Sequence, residues 1–421
     1  MNQTSESFSD EVSFSVTQSE EYPYLRAGAL ATAHGLIHTP TYMPVGTYGP
    51  VRLLDAEELW ACGAEIVLGN ALHLHMNIGA ERIESFGGLA RFTGWGGPTL
   101  TDSGGYQVSY WWKSGTHSLE GNERKHRIES PVEKITDEGV RVRSLVNGDR
   151  FWITPESAVE VQAKIGADII MAFDQPTFDT DSLENASSSL TRSHAWVERS
   201  FGKWRELKST GAAKPWQELF PIIQGGRHSE LRRQSAEFCL GFDTLGVAIA
   251  GESIGIDPMI SAQTLDSIRD LVPGAKALYA MGLGGGPEGF FEAALRGVDM
   301  FDNTSPSRMA RCGLALLSPT SGGQTKNRFR SDVTKAQYRD DATPLDATCS
   351  CKCCRLYTRG YLRYLFSIKE TVAARLLTIH NLTFMAALGR AIRTAIGQGT
   401  FGNLYESWLG RRCVVSLECN R

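Results

Sequence analysis

Residues 276–305 read KALYAMGLGGGPEGFFEAALRGVDMFDNTS. They contain two short apolar runs, KALYAMGLGG at 276–285 and VDMFDNTS at 298–305, on either side of the helically spaced GFFEAALRGV at 289–298. Both runs are continuously apolar rather than alternating, which is typical of strands buried on both faces of a parallel sheet. The stretch therefore predicts a strand–helix–strand unit, in which the helix carries the chain back to begin a second parallel strand.

Similar runs, each closed by glycine or a polar residue, recur along the chain. They comprise, besides the two above, residues 39–47, 65–71, 98–105, 167–175, 219–226 and 244–251. Helical patterns lie between several of them; in residues 154–167, Thr154 is the predicted N-cap and Pro155 occupies the first turn. Repeated strand–helix units with eight strands predict an α/β fold, namely a (β/α)8 TIM barrel. A doubly wound open sheet is the alternative, and the strand count and the lack of a Gly-rich phosphate turn after the first strand weigh against it.

The chain divides into three segments. We expect residues 1–12 to be a disordered N-terminus, because they are polar and rich in serine. The barrel is expected to span residues 13–318, with N-terminal β elements and a β-insertion near residues 111–153, where Asn147-Gly148 between alternating runs indicates a hairpin. Residues 319–421 are rich in cysteine and then helical, and we expect them to form a subdomain and a C-terminal tail.

Composition and charge narrow the class of protein. The 421-residue chain is 42% hydrophobic, yet no segment approaches the roughly 18 or more consecutive apolar residues of a membrane span. Its start lacks the basic and apolar regions of a secretory signal, so we expect a cytoplasmic protein without a membrane partner. From residue 303 onward 18 Lys and Arg stand against 7 Asp and Glu, whereas residues 1–302 carry 25 against 40. This asymmetry indicates a polyanion, such as nucleic acid, contacting the basic third; chance clustering on a solvated helical surface is the alternative.

The ends of the predicted strands carry polar or flexible residues, which a barrel gathers at one mouth. These residues are Asn70, Asp102, Asp174, Gln224, Gly251, Met281 and Asp302. Each alone could cap a helix or bond to a loop, but converging carboxylates raise one pKa and leave another group ionised. Such a set suits glycosyl transfer, in which one aspartate attacks an anomeric carbon and a second moves protons. Tyr106, four residues beyond Asp102, could stack on a flat ring.

The last strand carries two aspartates with different expected roles. Asp302 falls at or beyond the strand end, three residues after Asp299 and on another face. We therefore expect Asp302 to face the mouth and Asp299 to make a structural hydrogen bond or salt bridge.

A cysteine cluster follows in CSCKCC at 349–354. Cys349, Cys351 and Cys354 together with His380 offer three thiolates and one imidazole, which predict a closed, structural Zn2+ site. Cys353 could replace Cys354, and a reduced cysteine cluster without metal is the alternative.

These motifs together resemble the tRNA-guanine transglycosylases, also called queuine tRNA-ribosyltransferases. In chain order over about residues 25–400 they are MPVGTYGPVR, GNALHLH, GAERIESFGGLARFTGW, LTDSGGYQV, MAFDQ, PIIQGG, MGLGGGPE, RGVDMFDNTSPSR and Cys-x-Cys-x-x-Cys followed by HN. The resemblance implies a (β/α)8 barrel with a zinc subdomain, and a homodimer. It also implies a pentosyltransferase that exchanges guanine for a 7-deazaguanine base, preQ1 or queuine, at the wobble position of tRNA with a G-U-N anticodon.

The resemblance also implies roles for individual residues. Asp302 looks like the nucleophile that forms a covalent ribosyl-aspartate intermediate, and Asp102 looks like the general base for the incoming base. The heterocycle would be bound by Asp174, Gln224 and Gly251 between Tyr106 and Met281, with Asn70 and Gln107 near the ribose. The zinc ligands would be Cys349, Cys351, Cys354 and His380. The residues matching tRNA-phosphate contacts are Arg308, Arg311 and Arg393.

The chain departs from the family's bacterial pattern after the sixth strand. The usual reading there is Gly-Gly-Leu-Ala-Val-Gly-Glu, whereas this chain reads AGESIGI at 250–256, with Glu252 in the place of leucine and Ile256 in that of glutamate. The resemblance implies that this loop senses the substituent at position 7 of the base. We hypothesise that Glu252 pairs with the cationic aminomethyl group of 7-aminomethyl-7-deazaguanine; a surface or ion-paired carboxylate is the alternative.

Other functions fit parts of the pattern. A non-catalytic partner subunit would be expected to have lost some of Asp102, Asp174, Gln224 and Asp302, all of which are retained. A relative acting on DNA or on another tRNA position is a further alternative. A barrel glycosidase would explain the aspartates but neither the cysteine cluster nor the basic third.

Overall fold

The computed structural model describes residues 12–116, 130–251, 257–284 and 286–413. The disorder predicted for residues 1–12 concerns a segment of which only residue 12 is described. Glu252, part of the predicted insertion and the end of the tail also lie outside the described residues. The strands of the described residues are β1 Ser13–Gln18, β2 Arg26–Thr32, β3 Gly35–Thr39, β4 Thr41–Met43, β5 Val67–Asn70, β6 Thr99–Asp102, β7 Val132–Thr136, β8 Gly139–Arg143, β9 Arg150–Ile153, β10 Ile169–Met171, β11 Glu218–Phe220, β12 Ile222–Ile223, β13 Gly246–Ile249, β14 Ala277–Ala280, β15 Met300–Asp302, β16 Leu314–Leu316 and β17 Arg330–Asp332.

The helices alternate with many of these strands. They are α1 Ala56–Cys62, α2 Ala71–Asn77, α3 Ala80–Ser85, α4 Leu89–Phe92, α5 Gly105–Thr116, α6 Pro155–Ile165, α7 Leu183–Thr210, α8 Ser229–Leu240, α9 Pro258–Asp266, α10 Gly286–Leu295, α11 Ser305–Arg311, α12 Lys352–Leu356, α13 Arg359–Ser367, α14 Thr371–Gly397 and α15 Phe401–Leu409. Thr154 caps α6 as predicted, because its side chain accepts a hydrogen bond from the backbone N–H of Ser157 at 3.2 Å.

Each of the eight apolar runs contains a strand, and these strands pair in parallel. One sheet has the order β11-β10-β6-β5 and the other the order β12-β13-β14-β15-β4. Only Pro221 separates β11 from β12, and its carbonyl accepts from the N–H of Ala248 at 2.9 Å. A parallel bridge joins Val45, just beyond β4, to Leu68 in β5. The fold is mixed α/β, as the continuous apolar runs predicted.

Alternate residues of these strands pack into different apolar layers. Met171 in β10 belongs to a cluster that draws side chains from strands of both parallel sheets. Its neighbour Ile170 instead packs with Val159, Ala163 and Trp204 of the covering helices. This alternation is expected of parallel strands that are buried on both faces.

Antiparallel strands form the added elements. β1, β2 and β3 make a three-stranded sheet. Leu30 and Ile37 of this sheet belong to the same apolar cluster as Met171. β7, β8 and β9 make another, within the predicted insertion. The hairpin predicted at Asn147-Gly148 is confirmed, since β8 and β9 pair around it and Gly148 has a φ of +78°.

Asp299 is structural, as predicted. It is 1% exposed and forms an ion pair with the buried guanidinium of Arg26, whose Nε lies 3.2 Å from Oδ1. Its other oxygen, Oδ2, accepts a 2.7 Å hydrogen bond from the backbone N–H of Leu278. The pair ties the start of β2 to the strand region that leads into Asp302.

One long helix joins the C-terminal region to the parallel sheets. α14, Thr371–Gly397, is long and apolar enough to pass a length-and-composition test for a membrane span, but 72% of its most apolar window is buried in the protein. It packs against α11, α1, α12 and β4. Burial against these elements accounts for its apolar composition.

Candidate active site

A pocket of about 440 Å³ lies at the carboxyl ends of the parallel strands. Its volume is in the range that holds a small ligand. Most of the site residues predicted from the sequence line it, namely Asn70, Asp102, Tyr106, Gln107, Asp174, Gly251, Met281, Asp302 and Arg308. Gln224 lies behind this lining, hydrogen-bonded to Asp174.

Asp302 ends β15 and faces the pocket. Its Oδ1 accepts two hydrogen bonds of 2.7 Å, one from the hydroxyl of Tyr279 and one from the backbone N–H of Gly282. Burial raises the pKa of Asp302, while these two donors oppose the rise. Among the described residues both hydrogen bonds fall on Oδ1, so Oδ2 is the oxygen left for a ligand.

Asp102 ends β6 next to Asn70, its register partner at the end of β5. The amide of Asn70 donates from Nδ2 to Oδ2 of Asp102 at 2.7 Å, and its own Oδ1 caps α2 by accepting from the N–H of His73. Burial raises the pKa of Asp102 to about 7; the hydrogen bond from Asn70 opposes the rise and the charge of Asp302 adds to it. Oδ1 of Asp102 is buried and has no hydrogen-bond partner among the described residues. A carboxyl group in this state can take or give a proton near neutral pH.

Asp174 and Gln224 form a buried polar pair. Nε2 of Gln224 donates to Oδ2 of Asp174 at 2.6 Å, and Oε1 of Gln224 accepts from both the backbone and the hydroxyl of Thr177 at 3.3 Å. Burial raises the pKa of Asp174 to about 7, against the opposing hydrogen bond from Gln224. Asp174 lines the pocket, so its carboxyl can bond to the edge of a planar heterocycle, while the fully buried Gln224 holds it from behind.

Two glycines lie where the backbone packs closely against a neighbouring residue. A Cβ on Gly105 would lie 2.5 Å from the backbone oxygen of Asp174 and 2.5 Å from its Oδ1. A Cβ on Gly251 would lie 2.3 Å from Nη2 of Arg232, whose other nitrogens donate to the carbonyls of Gly226 and Ala250. Both positions therefore exclude any larger residue without displacement of a neighbour.

The structure adds two residues that the sequence interpretation missed. Tyr279 donates to Asp302, and Thr177 holds Gln224. Tyr279 could have been noticed as the hydroxyl-bearing residue in an otherwise apolar strand. Thr177 lies three residues beyond Asp174 in a loop, and its position carried no comparable signal.

The three predicted tRNA-binding arginines are not brought together. Arg308 lines the pocket, and Arg311 lies one helical turn further along α11. Burial lowers the pKa of Arg311, and the nearby charges of Arg52 and Arg308 lower it further. Arg393 instead donates to the carbonyls of His38 and Pro40 and pairs with Glu65 at 2.8 Å, all of which precede strands β4 or β5. Its guanidinium is thus engaged at the amino ends of these strands, away from the pocket.

A second candidate site lies in the C-terminal region. The ligand atoms of Cys349, Cys351, Cys354 and His380 all lie within 4.8 Å of one another and could hold a metal ion. The Sγ atoms of Cys351 and Cys354 are 3.7 and 3.2 Å from Nδ1 of His380, while Nε2 is 2.7 Å from the carbonyl of Leu316. Ligand-to-metal distances of about 2.0–2.3 Å put tetrahedral ligands at about these separations. A backbone acceptor on the other ring nitrogen is the usual support for a ligating histidine.

The fold and the first site together define a class of protein. Parallel strands that end in Asp102 and Asp302 at one pocket make up an α/β fold with a candidate active site. The family model and the curated relatives give the class of this enzyme as a pentosyltransferase. Comparison with known proteins identifies it further: the chain belongs to the queuine tRNA-ribosyltransferase family, whose model matches residues 23–413. The family resemblance seen in the sequence motifs is thereby confirmed.

Several curated relatives named queuine tRNA-ribosyltransferase align over almost the whole chain. The relative from Roseiflexus sp. (strain RS-1) is 37% identical over 405 residues, which cover 95% of this chain and 99% of the relative. Those from Herpetosiphon aurantiacus and Pelotomaculum thermopropionicum are 38% and 39% identical, each over 92% of this chain and over 89% and 95% of the relative. The chain thus spans essentially the length of the relatives it matches.

Proposed function

We propose that this protein is a tRNA-guanine transglycosylase, which exchanges guanine at the anticodon wobble position of tRNA for a 7-deazaguanine base in queuosine biosynthesis. The observation that carries the proposal is the pair of strand-end aspartates on one pocket, one held by donors on a single oxygen and the other with a pKa of about 7. The family membership and the curated relatives' names support the same reaction.

In the first half of the reaction, Asp302 acts as the nucleophile. Oδ2 of Asp302 forms a bond to C1′ of the ribose as the bond from C1′ to N9 of guanine breaks, and the electron pair of that bond leaves with guanine. Tyr279 and the N–H of Gly282 hold Oδ1, which fixes the carboxylate and supports its ionised form. Asp102 in its protonated form gives a proton to the departing base, so that neutral guanine leaves.

In the second half, Asp102 acts as the general base. It is now ionised, and it takes the proton from N9 of the incoming 7-deazaguanine. N9 then bonds to C1′, and Asp302 leaves as a carboxylate. A pKa of about 7 suits a group that must give a proton in one half-reaction and take one in the other.

The heterocycle is recognised by the buried polar pair and its neighbours. Asp174, held by Gln224, is assigned to the purine edge, and Gly251, which also lines the pocket, is assigned to the base beside it. Tyr106 and Met281, which both line the pocket, sandwich the ring. Asn70 and Gln107 lie beside Asp102 and are assigned to the ribose.

The tRNA backbone is assigned to the arginines near the pocket. Arg308 and Arg311 supply positive charge just beyond Asp302, and Arg52 adds to it. Arg393 is left out of this surface because Glu65 and two carbonyls engage its guanidinium.

The proposal includes the architecture that carries the site. We take the two parallel sheets as one closed (β/α)8 barrel; the Val45–Leu68 bridge and the short step across Pro221 support this closure. Residues 13–318 would form the barrel with its insertion, and residues 319–421 the zinc-binding subdomain and tail. The four ligands Cys349, Cys351, Cys354 and His380 would bind Zn2+ as a structural ion, with Cys353 outside the set. A homodimer is expected by resemblance to the family.

The test is exchange of radiolabelled guanine into tRNA with a G-U-N anticodon, comparing the zinc-loaded wild type with Asp302→Asn. We expect incorporation by the wild type, none by the variant, and a covalent tRNA adduct that depends on Asp302. No incorporation by the wild type would contradict the proposal and favour a partner-dependent subunit or another nucleic-acid substrate.

A further inference from the structure

An aromatic surface extends outward from the pocket along α5. Tyr106 lines the pocket, and its ring stacks on that of Tyr110 one helical turn later, with centroids 6.0 Å apart and an interplanar angle of 18°. Tyr110 is not part of the pocket lining, yet 51% of it is exposed. Tyr110 is thus the next ring beyond the pocket wall.

A second row of rings adjoins the first. Tyr48 follows the pocket-lining Thr47, and its ring centroid lies 5.0 Å from that of His73. The ring centroid of His73 lies 5.7 Å from that of Trp111. Burial lowers the pKa of His73, so this row presents neutral rings near neutral pH.

We propose that Tyr110 is a stacking platform for an unpaired nucleotide of the tRNA that flanks the target guanosine. This inference rests on the proposed function. A base that enters the pocket must leave the stack of the anticodon loop, and its neighbour then loses a stacking partner. An exposed aromatic ring one step outside the pocket replaces that partner.

The neighbouring charges favour RNA as the occupant. Arg308 lines the same pocket, and Arg52 and Arg311 lie close to it in a group of like charges. Aromatic faces beside cations form the usual surface for single-stranded nucleic acid, since the rings take the bases and the cations take the phosphates. An apolar protein partner would instead have to bury this positive charge.

The platform makes no contact with the free base that enters the pocket. Tyr106 stands between Tyr110 and the pocket interior, so Tyr110 contributes to the affinity for RNA and not to that for guanine. A stacked base is worth about 1–3 kcal/mol by alanine substitution, and about tenfold is therefore the expected change in RNA affinity.

The experiment uses the full-length protein and three RNA stem-loops with a G-U-N anticodon. One is intact, one lacks the base on the 5′ side of the target guanosine, and one lacks the base on the 3′ side. For Tyr110→Ala we expect an about tenfold higher Kd on the intact RNA and an unchanged KM for guanine. With one of the two abasic RNAs, the Kd values of wild type and variant should coincide. Tyr110→Phe, which keeps the ring, should bind as the wild type does.

The matched control is Phe86→Ala, which removes a 54% exposed ring outside the pocket lining and should leave every value unchanged. An unchanged Kd of Tyr110→Ala for intact RNA would overturn the inference. So would an equal loss on the intact and both abasic RNAs, since the effect would then be independent of a flanking base. Exchange by the wild type on intact RNA is measured alongside, and its absence would mark failure of the proposed function rather than of the platform.

Discussion

The side chain of Asn70 donates a 2.7 Å hydrogen bond to Asp102, the strand-end residue opposite it in register. Because this bond favours the ionised carboxylate, its removal raises the pKa of Asp102 further above its present value of about 7. If Asp102 must be ionised to take a proton from the incoming base, the acid limb of the pH–rate profile moves to higher pH in Asn70→Ser. The measurement is guanine exchange as a function of pH at saturating tRNA.

Serine is chosen because it retains a good helix cap. Asn70 also caps α2, and loss of a cap costs about 1 kcal/mol, whereas serine caps nearly as well as asparagine. Asn77→Ala serves as the control, since within the described part of the chain the exposed side chain of Asn77 bonds only to the carbonyl of His73 in α2. An unshifted acid limb in Asn70→Ser would mean that Asp102 is not the group that titrates.

Substitutions of Asp302, which ends β15, and of Asp299, which immediately precedes β15, should affect activity and stability separately. Asp302→Asn is expected to reduce exchange by more than about 10³-fold with little change in Tm, since it removes the attacking oxygen but keeps the side-chain shape. Asp299→Ala is expected to lower the free energy of unfolding by about 3–5 kcal/mol, because it leaves the buried Arg26 without its partner. Exchange kinetics and urea unfolding of both variants test this division; equal loss of activity and stability in the two would contradict it.

A glycine substitution tests how the base-binding pair is held. Gly105→Ala places a Cβ 2.5 Å from the backbone oxygen of Asp174, so the pair with Gln224 must shift. We expect the KM for guanine to rise at least tenfold, with a smaller effect on the KM for tRNA. Gly202→Ala is the control, because a Cβ there meets nothing within 4 Å and lies within the long helix α7. A KM for guanine that is unchanged in Gly105→Ala would remove the pair from base recognition.

The strands could be predicted from the sequence because burial on both faces leaves a continuous apolar run. All eight runs contain a parallel strand, and the strand-end residues Asp102 and Asp302 meet at one pocket. Position along a strand also separated Asp299 from Asp302. These features depend on local pattern and on the geometry common to parallel sheets.

What the sequence did not predict depends on contacts between distant segments. Tyr279 reaches Asp302 across neighbouring strands, and Thr177 reaches Gln224 from another loop. The family resemblance assigned Arg393 to tRNA, and the sequence did not show that its guanidinium pairs with Glu65, which precedes β5. The local sequence around a charged side chain does not show which distant residue it pairs with in the fold.

An ion pair at the other end of the strands gives a pH-dependent contribution to stability. His34 lies 2.8 Å from the buried Asp168, and the hydrogen bond to Asp168 raises the pKa of His34 despite burial, which opposes it. Because the folded state favours protonated His34, the pair stabilises the protein fully at pH values below the pKa of histidine in the unfolded chain, about 6.5. This contribution is lost as the pH rises through the pKa of His34 in the folded state. We expect His34→Gln to destabilise the protein more at pH below about 6.5 than at alkaline pH. Urea unfolding of both proteins across this range tests the sign; a difference that is constant with pH would exclude the pair as its source.

The cysteine cluster predicts different outcomes for two adjacent cysteines. Cys354 contributes to the four-residue set and Cys353 does not, although both are buried. Cys354→Ala should lose bound zinc and lower the Tm by several degrees, because the metal joins the loop of α12 to His380 in α14. Cys353→Ala removes a similar volume and should retain zinc, at a cost of about 1–2 kcal/mol for the lost packing. Zinc content by mass spectrometry and thermal unfolding, with and without a chelator, distinguish the two. Zinc lost from Cys353→Ala and kept by Cys354→Ala would assign the fourth ligand to Cys353, the alternative that ligand spacing alone leaves open.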